Sequence, residues 1–291
     1  MATTVTTAFD ALLADLVLTP NQKAIAEGRF SHLETYFARN IPLDGGPWKI
    51  GSYDRGTLIR WRRDLDVLVA LAVDPYWARY EHDSAAMLTW MRNRLNDEYG
   101  STQISIRQVA VRMFLGEGFQ VDLVPAFYRK GGGFLMPDGR GSWKATNPPY
   151  HARIMTDANI ALGTRLKPLV RVMKAWNDAN AHHLQSFHLE MMVWEMWHND
   201  KVLPVLPQAV ADTLRNGDIW MKHPMSDPWL DAGIKPLDAY LSDAERGVIT
   251  RMFESDQKSA EAAIAYVNAG QTANAFERWA IVFNHKFPAY G

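Results

Sequence analysis

Apolar positions recur along the chain with two different periods, and the change of period divides it. Near the start, Phe9, Leu12, Leu13 and Leu16 fall at helical spacing within residues 4–18, and Thr19-Pro20 closes the run. A second helix is predicted over 21–39, with Ile25, Phe30, Leu33, Tyr36 and Phe37 on its inward face. The period then shortens. A run rich in Val and Leu from Leu65 to Ala72 reads as a buried strand. Residues 80–98 return to helical spacing through Met87, Leu88, Met91 and Leu95. Residues 104–115 alternate imperfectly through Ile104, Ile106, Val109, Val111 and Met113, and Gly116-Glu117-Gly118 turns them into a second strand over 119–128. The glycine-rich tract 130–143 reads as a mobile surface loop, with an edge hairpin as the alternative.

Thr146-Asn147-Pro148-Pro149 interrupts the pattern, and beyond it only the helical period remains. Helices are predicted over 150–163, 166–180, 184–199, 204–216, 242–254, 256–269 and 271–285, with an irregular Trp220–Pro236 between the fourth and fifth. A strand-rich half followed by a helix-rich half argues for an α+β fold rather than alternating α/β. The expected lobes are 1–147, a mixed β-sheet with flanking helices, and 148–291, helical.

Composition narrows the chemistry. At 291 residues the chain can bury a large core, and 47% hydrophobic with 22% charged residues is ordinary for a globular protein. A net charge of −1 gives no argument for a nucleic-acid or membrane partner. The absence of cysteine excludes disulfides, thiol catalysis and Cys-ligated zinc. With no signal peptide and no apolar run of about 18 residues, the expected compartment is the cytoplasm.

Candidate chemistry gathers between Lys49 and Ala72. Asp64 and Asp66 stand two apart at the head of the Val/Leu strand, so both carboxylates point to one face. Adjacent anions repel and call for a cation; hard oxygen donors without sulfur select Mg²⁺ or Mn²⁺. Upstream, the Gly51-Ser52 turn offers backbone N–H groups and a hydroxyl to phosphate. A third carboxylate, Asp122, sits inside the alternating FQVDLV of 119–124, where an unpaired charge is costly. If strands 65–72 and 119–127 are neighbours, Asp64, Asp66 and Asp122 converge on one site suited to two ions about 3.5–4 Å apart and to phosphoryl or nucleotidyl transfer.

Gly-Ser, Asp-x-Asp twelve residues after the serine, and a third Asp on a later strand resemble the polymerase-β-like nucleotidyltransferases. The extended GSYDRGTLIRWRRDLDVLV resembles the bacterial relatives of cyclic GMP–AMP synthase, the CD-NTases. VRVMKAWN (170–177), SFHLEMMVWEMW (186–197) and ERWAIVFNHKFP (277–288) are similar to that family's helical half and closing segment, so the resemblance runs from about residue 45 to the end. The missing cysteines separate this chain from the animal enzyme with its zinc-bearing insertion.

The resemblance implies a polymerase-β-like fold whose sheet lobe packs on the helical lobe, with the helix over 21–39 spanning the back of both. It implies that Asp64 and Asp66 bind both ions and the donor triphosphate, that Asp122 completes the catalytic ion and is the candidate acceptor of the ribose hydroxyl proton, and that Gly51 and Ser52 hold the β- and γ-phosphates. Lys174, which on residue type alone reads as a lysine snorkelling from an apolar helix face, becomes a phosphate ligand; Ser186 becomes its companion hydroxyl. Phe187 takes the place where relatives stack an aromatic ring on the donor base, here Phe rather than the more familiar Tyr. Asn159 is a candidate base-edge reader against a plain helix residue. Arg62 and Arg63 are candidate phosphate contacts against a solvated loop. The histidines lack metal-ligand spacing, and the tryptophans read as core.

The implied activity joins nucleoside triphosphates, ATP plus one other, into a cyclic di- or trinucleotide second messenger of bacterial anti-phage (CBASS) signalling. The alternatives are a template-free nucleotidyltransferase acting on tRNA or a protein, and a catalytically silent nucleotide-binding homologue. The implied partners are operon neighbours: an effector, and an E1/E2-like conjugating enzyme if Ala289-Tyr290-Gly291 extends beyond Pro288 as a tail open to conjugation at Gly291.

Overall fold

The computed structural model describes residues 2–62, 64–116, 118–230 and 236–291. In chain order the elements are α1 (Val5–Leu16), α2 (Pro20–Asn40), β1 (Leu43–Ile50), the single turn α3 (Gly51–Asp54), β2 (Asp64–Leu71), α4 (Val73–Tyr80) and α5 (Ser84–Glu98). Then follow β3 (Gln103–Arg107), β4 (Ala110–Phe114), β5 (Gln120–Tyr128), β6 (Phe134–Pro137) and β7 (Trp143–Thr146). The remainder is helical: α6 (Pro148–Ala161), α7 (Leu166–Ala179), α8 (Ser186–Trp197), α9 (Leu206–Lys222), α10 (Asp243–Asn268) and α11 (Thr272–Val282).

Local chemistry sets several of these boundaries. Thr4, Thr19 and Ser242 cap α1, α2 and α10, each in a reciprocal box with the residue three further on, so orphan N–H groups of the first turn are satisfied. Thr19-Pro20, which closes the first apolar run, thus also opens the second helix, with Pro20 in its first turn.

The chain divides into two compact units, one of Leu18–Arg153 and the other of Met1–Val17 with Ile154–Gly291. This differs from the expected lobes in two ways. The boundary falls inside α6 rather than ahead of it, and α1 belongs with the later helices. Its Phe9 is buried and meets the Trp279 ring edge-on at 4.8 Å and the Phe287 ring at 5.0 Å.

The first unit is built on a seven-stranded mixed sheet. Its path is β1-β2-β5-β4-β3, with β6 on β5 and β7 on β6. β2 and β5 run parallel, in register from Asp64↔Gln120 to Ala70↔Ala126; the other pairs are antiparallel. On one face Leu65, Val67, Val69 and Leu71 join Val121 and Leu123 under Phe30, Leu33 and Phe37 of α2 and Met87, Met91 and Leu95 of α5. Each such fully buried side chain contributes about 1.5–3 kcal/mol, which fixes the register and therefore the direction of every alternate residue.

Residues 104–115 form two strands, not one. β3 turns at Gln108-Val109 into β4, pairing Arg107 with Ala110 and Gln103 with Phe114. The tract over 130–143 holds the hairpin β6–β7 rather than a loose loop. It is moored by the Ser84 hydroxyl donating to the Ser142 carbonyl at 2.6 Å, by the Trp143 indole donating to the Tyr80 carbonyl at 3.0 Å, and by stacking of Tyr128 on Phe134 at 5.0 Å.

In the second unit α10 packs on α9 and α11, and α1 packs on α7, α9 and α11. The two helices predicted over 242–269 are one, because Asp256, at the expected break, turns inward. α9 continues to Lys222, and residues 231–235 of the segment predicted irregular lie outside the described residues. Gly217 of α9 touches the Phe253 ring so closely that any Cβ would overlap it. The last residues do not extend as a tail. Tyr290 bridges to Ala2, the Gly291 N–H donates to the Ala2 carbonyl at 3.2 Å, and Phe287 is buried.

Trp176 donates its indole N–H to Asp256 at 2.7 Å inside this unit. Burial pushes the Asp256 carboxyl from its ordinary 3.8 up to about 6, against the pull of that bond. The native state therefore holds the proton more tightly than the unfolded chain, so this group's contribution to stability falls as pH rises from about 4 to about 6 and is level above. Asp256→Asn keeps a carbonyl acceptor for the indole. It is expected to remove that slope and to raise stability at pH 7 by up to about 3 kcal/mol. Urea denaturation at pH 4, 5 and 7 checks this.

Candidate functional site

β1 delivers the chain to the sheet face opposite the α2 and α5 core, with Ile50 paired to Asp66. Gly51 follows with φ +69°, and the Asp66 carboxylate lies so close to its Cα that any Cβ would overlap an oxygen. A glycine is thus required here twice over, by conformation and by space. The Ser52 carbonyl accepts from the Thr57 and Leu58 N–H groups at 2.8 and 3.0 Å, closing the turn over Gly56. Glu27 of α2 anchors this turn from outside, accepting from Lys49 at 2.6 Å and from Tyr53 at 2.7 Å. Those bonds, Lys49 first and Tyr53 second, hold the Glu27 carboxyl below its usual range. The motif carries no sign of Glu27, because the partner is supplied by another helix.

Asp64 and Asp66 head β2, and the parallel ladder sets Asp66 opposite Asp122 and Asp64 opposite Gln120. All four side chains are half-buried and share one sheet face by the period of two. The convergence expected from the sequence is present in the backbone. The side chains differ from expectation at Asp122. Arg112, opposite it on β4, donates Nε to Oδ1 at 2.7 Å and Nη2 to Oδ2 at 2.6 Å. Among the described residues, no three His, Cys, Asp or Glu side chains gather as a group that could hold a metal ion. Asp122 turns to the guanidinium instead, because a bidentate cation on the neighbouring strand outcompetes two anions.

The donor set nevertheless suits a hard divalent cation. It comprises three carboxylates and the buried Gln120 side-chain oxygen, which accepts no hydrogen bond. Asp66 is given room by the bare Gly51 surface. These residues fit Mg²⁺ or Mn²⁺ when Asp122 yields at least one oxygen from Arg112. Arg62 is half-buried in the loop before β2. Arg63 lies outside the described residues.

Lys174, on α7, and Ser186 and Phe187, on α8, belong to the other unit. Lys174 does not snorkel to water. It is 3% exposed and donates to Glu190, 0% exposed, at 3.1 Å. Burial lowers the pKa of Arg171, one turn earlier on α7, and Glu190 opposes that shift. In the sequence Lys174 stands out, but Arg171 and Glu190 do not.

Removing one partner of a buried pair leaves the other less compensated. Lys174→Ala is therefore expected to cost about 3–5 kcal/mol of stability, with part recovered by adding Glu190→Ala. Chemical denaturation of the single and double variants checks it.

Ser186 and Phe187 open α8, half-buried. The approach to them is fixed by Asn177, whose amide brackets Leu184 at 2.7 and 3.1 Å, and by the Tyr240 hydroxyl accepting from the Gln185 N–H at 2.8 Å. His188 faces the same hydroxyl through Nδ1 at 3.0 Å, and burial pushes it down to about 4, so it is neutral at pH 7. Asn159 is neither a solvated helix residue nor open to a base. It is buried, and its side-chain oxygen accepts from the Lys167 N–H at 2.9 Å.

The family model described as the Second Messenger Oligonucleotide or Dinucleotide Synthetase domain matches residues 3–159. Among curated proteins, the chain is 26% identical over 204 residues to a probable cyclic nucleotide synthase of Bacillus cereus (strain VD146), covering 66% of this chain and 59% of that relative. It is also 26% identical over 256 residues to the cyclic AMP-AMP-AMP synthase of Acinetobacter sp. (strain ATCC 27244 / 9458), covering 82% of this chain and 71% of that one. Among solved structures, CdnC of E. coli MS115-1 in its complex with HORMA-deltaN superposes with a TM-score of 0.78 at 17% identity, covering 97% of this chain and 98% of that one. The fold is accordingly that of the CD-NTases, a polymerase-β-like mixed sheet with flanking helices. Among the described residues, no helix is long and apolar enough to cross a membrane.

Proposed function

The chain belongs to the Second Messenger Oligonucleotide or Dinucleotide Synthetase family, and on that premise we propose that it is a metal-dependent nucleotidyltransferase that joins nucleoside triphosphates into a cyclic di- or trinucleotide. The observation that carries the reading is the cross-strand meeting of Asp66 with Asp122 beside a glycine that leaves room for the Asp66 carboxylate. Asp64, Asp66 and Asp122 would hold Mg²⁺ or Mn²⁺, which supplies charge neutralisation and lowers the pKa of the attacking ribose hydroxyl. Gly51 and Ser52 present the turn that receives the triphosphate. On α7 and α8, Lys174, once released from Glu190, and Ser186 are phosphate ligands in this reading, and Phe187 is an apolar ring for a base. The names of the two curated relatives support a cyclic nucleotide product and ATP as one substrate. The reading extends to anti-phage signalling, with an operon-encoded effector as partner; a HORMA protein, seen with E. coli CdnC, is a further partner to test for binding.

The test is incubation with all four labelled nucleoside triphosphates and Mg²⁺, followed by mass spectrometry with and without phosphodiesterase. A cyclic product lacking terminal phosphates, with release of pyrophosphate, supports the proposal. Transfer to tRNA or protein alone, or no turnover with any triphosphate, overturns it.

A further inference from the structure

A row of polar side chains crosses the sheet. Asp66 on β2 is opposite Asp122 on β5, Asp122 opposite Arg112 on β4, and Arg112 opposite Ser105 on β3. The centre of the row is the fork of Arg112 on both oxygens of Asp122, at 2.7 and 2.6 Å. The two side chains are only 22% and 14% exposed, so water screens the pair weakly. The Arg112 guanidinium is held more firmly charged than usual, first by its bond to Asp122, with Asp64 and Asp66 adding to the effect. A planar fork fixes the plane of a carboxylate in a way that a point charge does not. It also takes one acceptor position on each Asp122 oxygen, so a metal ion would have to share the carboxylate with the guanidinium. The sequence motif for the reaction does not include Arg112.

Building on the metal-dependent reading above, we propose that Arg112 is a positioning residue that competes for the third carboxylate. It orients Asp122, and by the same two bonds it weakens Asp122 as a metal ligand. A divalent cation held by Asp64 and Asp66 gains Asp122 in competition with the fork. Asp122 therefore serves as a ligand of adjustable strength.

Mn²⁺ binding followed by electron paramagnetic resonance tests this without relying on turnover. Arg112→Lys keeps the charge and removes the fork. It is expected to bind Mn²⁺ about fivefold more tightly than wild type, and to turn over about tenfold more slowly at unchanged KM for the triphosphate, because Asp122 is freed but no longer oriented. In an Asp122→Asn background the same substitution should leave Mn²⁺ affinity unchanged, because the coupling passes through Asp122. Arg112→Gln should shift affinity in the same direction as Arg112→Lys, which covers the case of lysine re-forming an ion pair. Unchanged or weaker Mn²⁺ binding in both Arg112 variants overturns the inference, as does an equal gain in the Asp122→Asn background. Mn²⁺ binding by wild type that survives Asp64→Asn and Asp66→Asn, or no binding at all, overturns the metal reading itself and this inference with it.

Discussion

Asp64→Asn combined with Asp66→Asn is expected to abolish product formation, by about three orders of magnitude or more. Asparagine preserves the size of each side chain and one oxygen on each, so the parallel ladder from Asp64↔Gln120 to Ala70↔Ala126 has no reason to change. What goes is the negative charge that a divalent cation requires. Wild-type protein should gain thermal stability when Mg²⁺ and nucleotide are present together, by linkage, and the double variant should not. The measurements are product formation by mass spectrometry and thermal unfolding with and without both ligands. Wild-type turnover in the double variant would show that the chemistry lies elsewhere.

Gly51→Ala should be almost as damaging, for a different reason. Its added methyl group would overlap the Asp66 carboxylate, and a side chain at φ +69° is strained in any case. The carboxylate has to swing away from the turn, separating the proposed phosphate-receiving backbone from the proposed metal ligand. We expect a loss of about a hundredfold in kcat/KM together with about 1–3 kcal/mol of stability. Gly131→Ala is the control. It has φ +97° and nothing within 4 Å, so it meets the backbone strain alone and should leave turnover intact. Equal kinetic loss in both variants would reduce the Gly51 effect to strain.

Much of this arrangement is legible in the sequence, and its limits have physical causes. Asp64, Asp66 and Asp122 could be placed on one face because strand side chains alternate and the start of each strand alternates polar with apolar, Asp64-Leu65-Asp66-Val67 and Gln120-Val121-Asp122-Leu123. The split of 104–115 was also written there. The apolar residues change from even (Ile104, Ile106) to odd (Val109, Val111, Met113), and a strand cannot change parity without a turn or a bulge. Arg112 had a signal as well. A hairpin turning about residue 117 pairs residues equidistant from it, which sets Arg112 against Asp122. Glu27 and Glu190 had none, since their partners lie on other elements and only tertiary packing brings them together. The single helix α10 was obscured by Asp256, a polar residue whose inward direction depends on Trp176, far from it in the chain. The tail after Pro288 was misjudged because Tyr290 pairs with Ala2 at the other end of the chain.

The parallel pairing of β2 with β5 has a consequence for how activity is acquired during folding. Asp66 and Asp122 become neighbours only by closing the stretch of chain that carries α4, α5, β3 and β4, a long closure that costs entropy before any contact repays it. Antiparallel hairpins such as β3–β4 and β6–β7, and the helices, can form from local sequence ahead of it. A chain with near-native helical content is therefore still inert. In refolding from denaturant, recovery of turnover should lag behind far-ultraviolet circular dichroism and coincide with the slowest phase of sheet assembly, which makes catalysis a reporter of the last step of folding rather than of collapse.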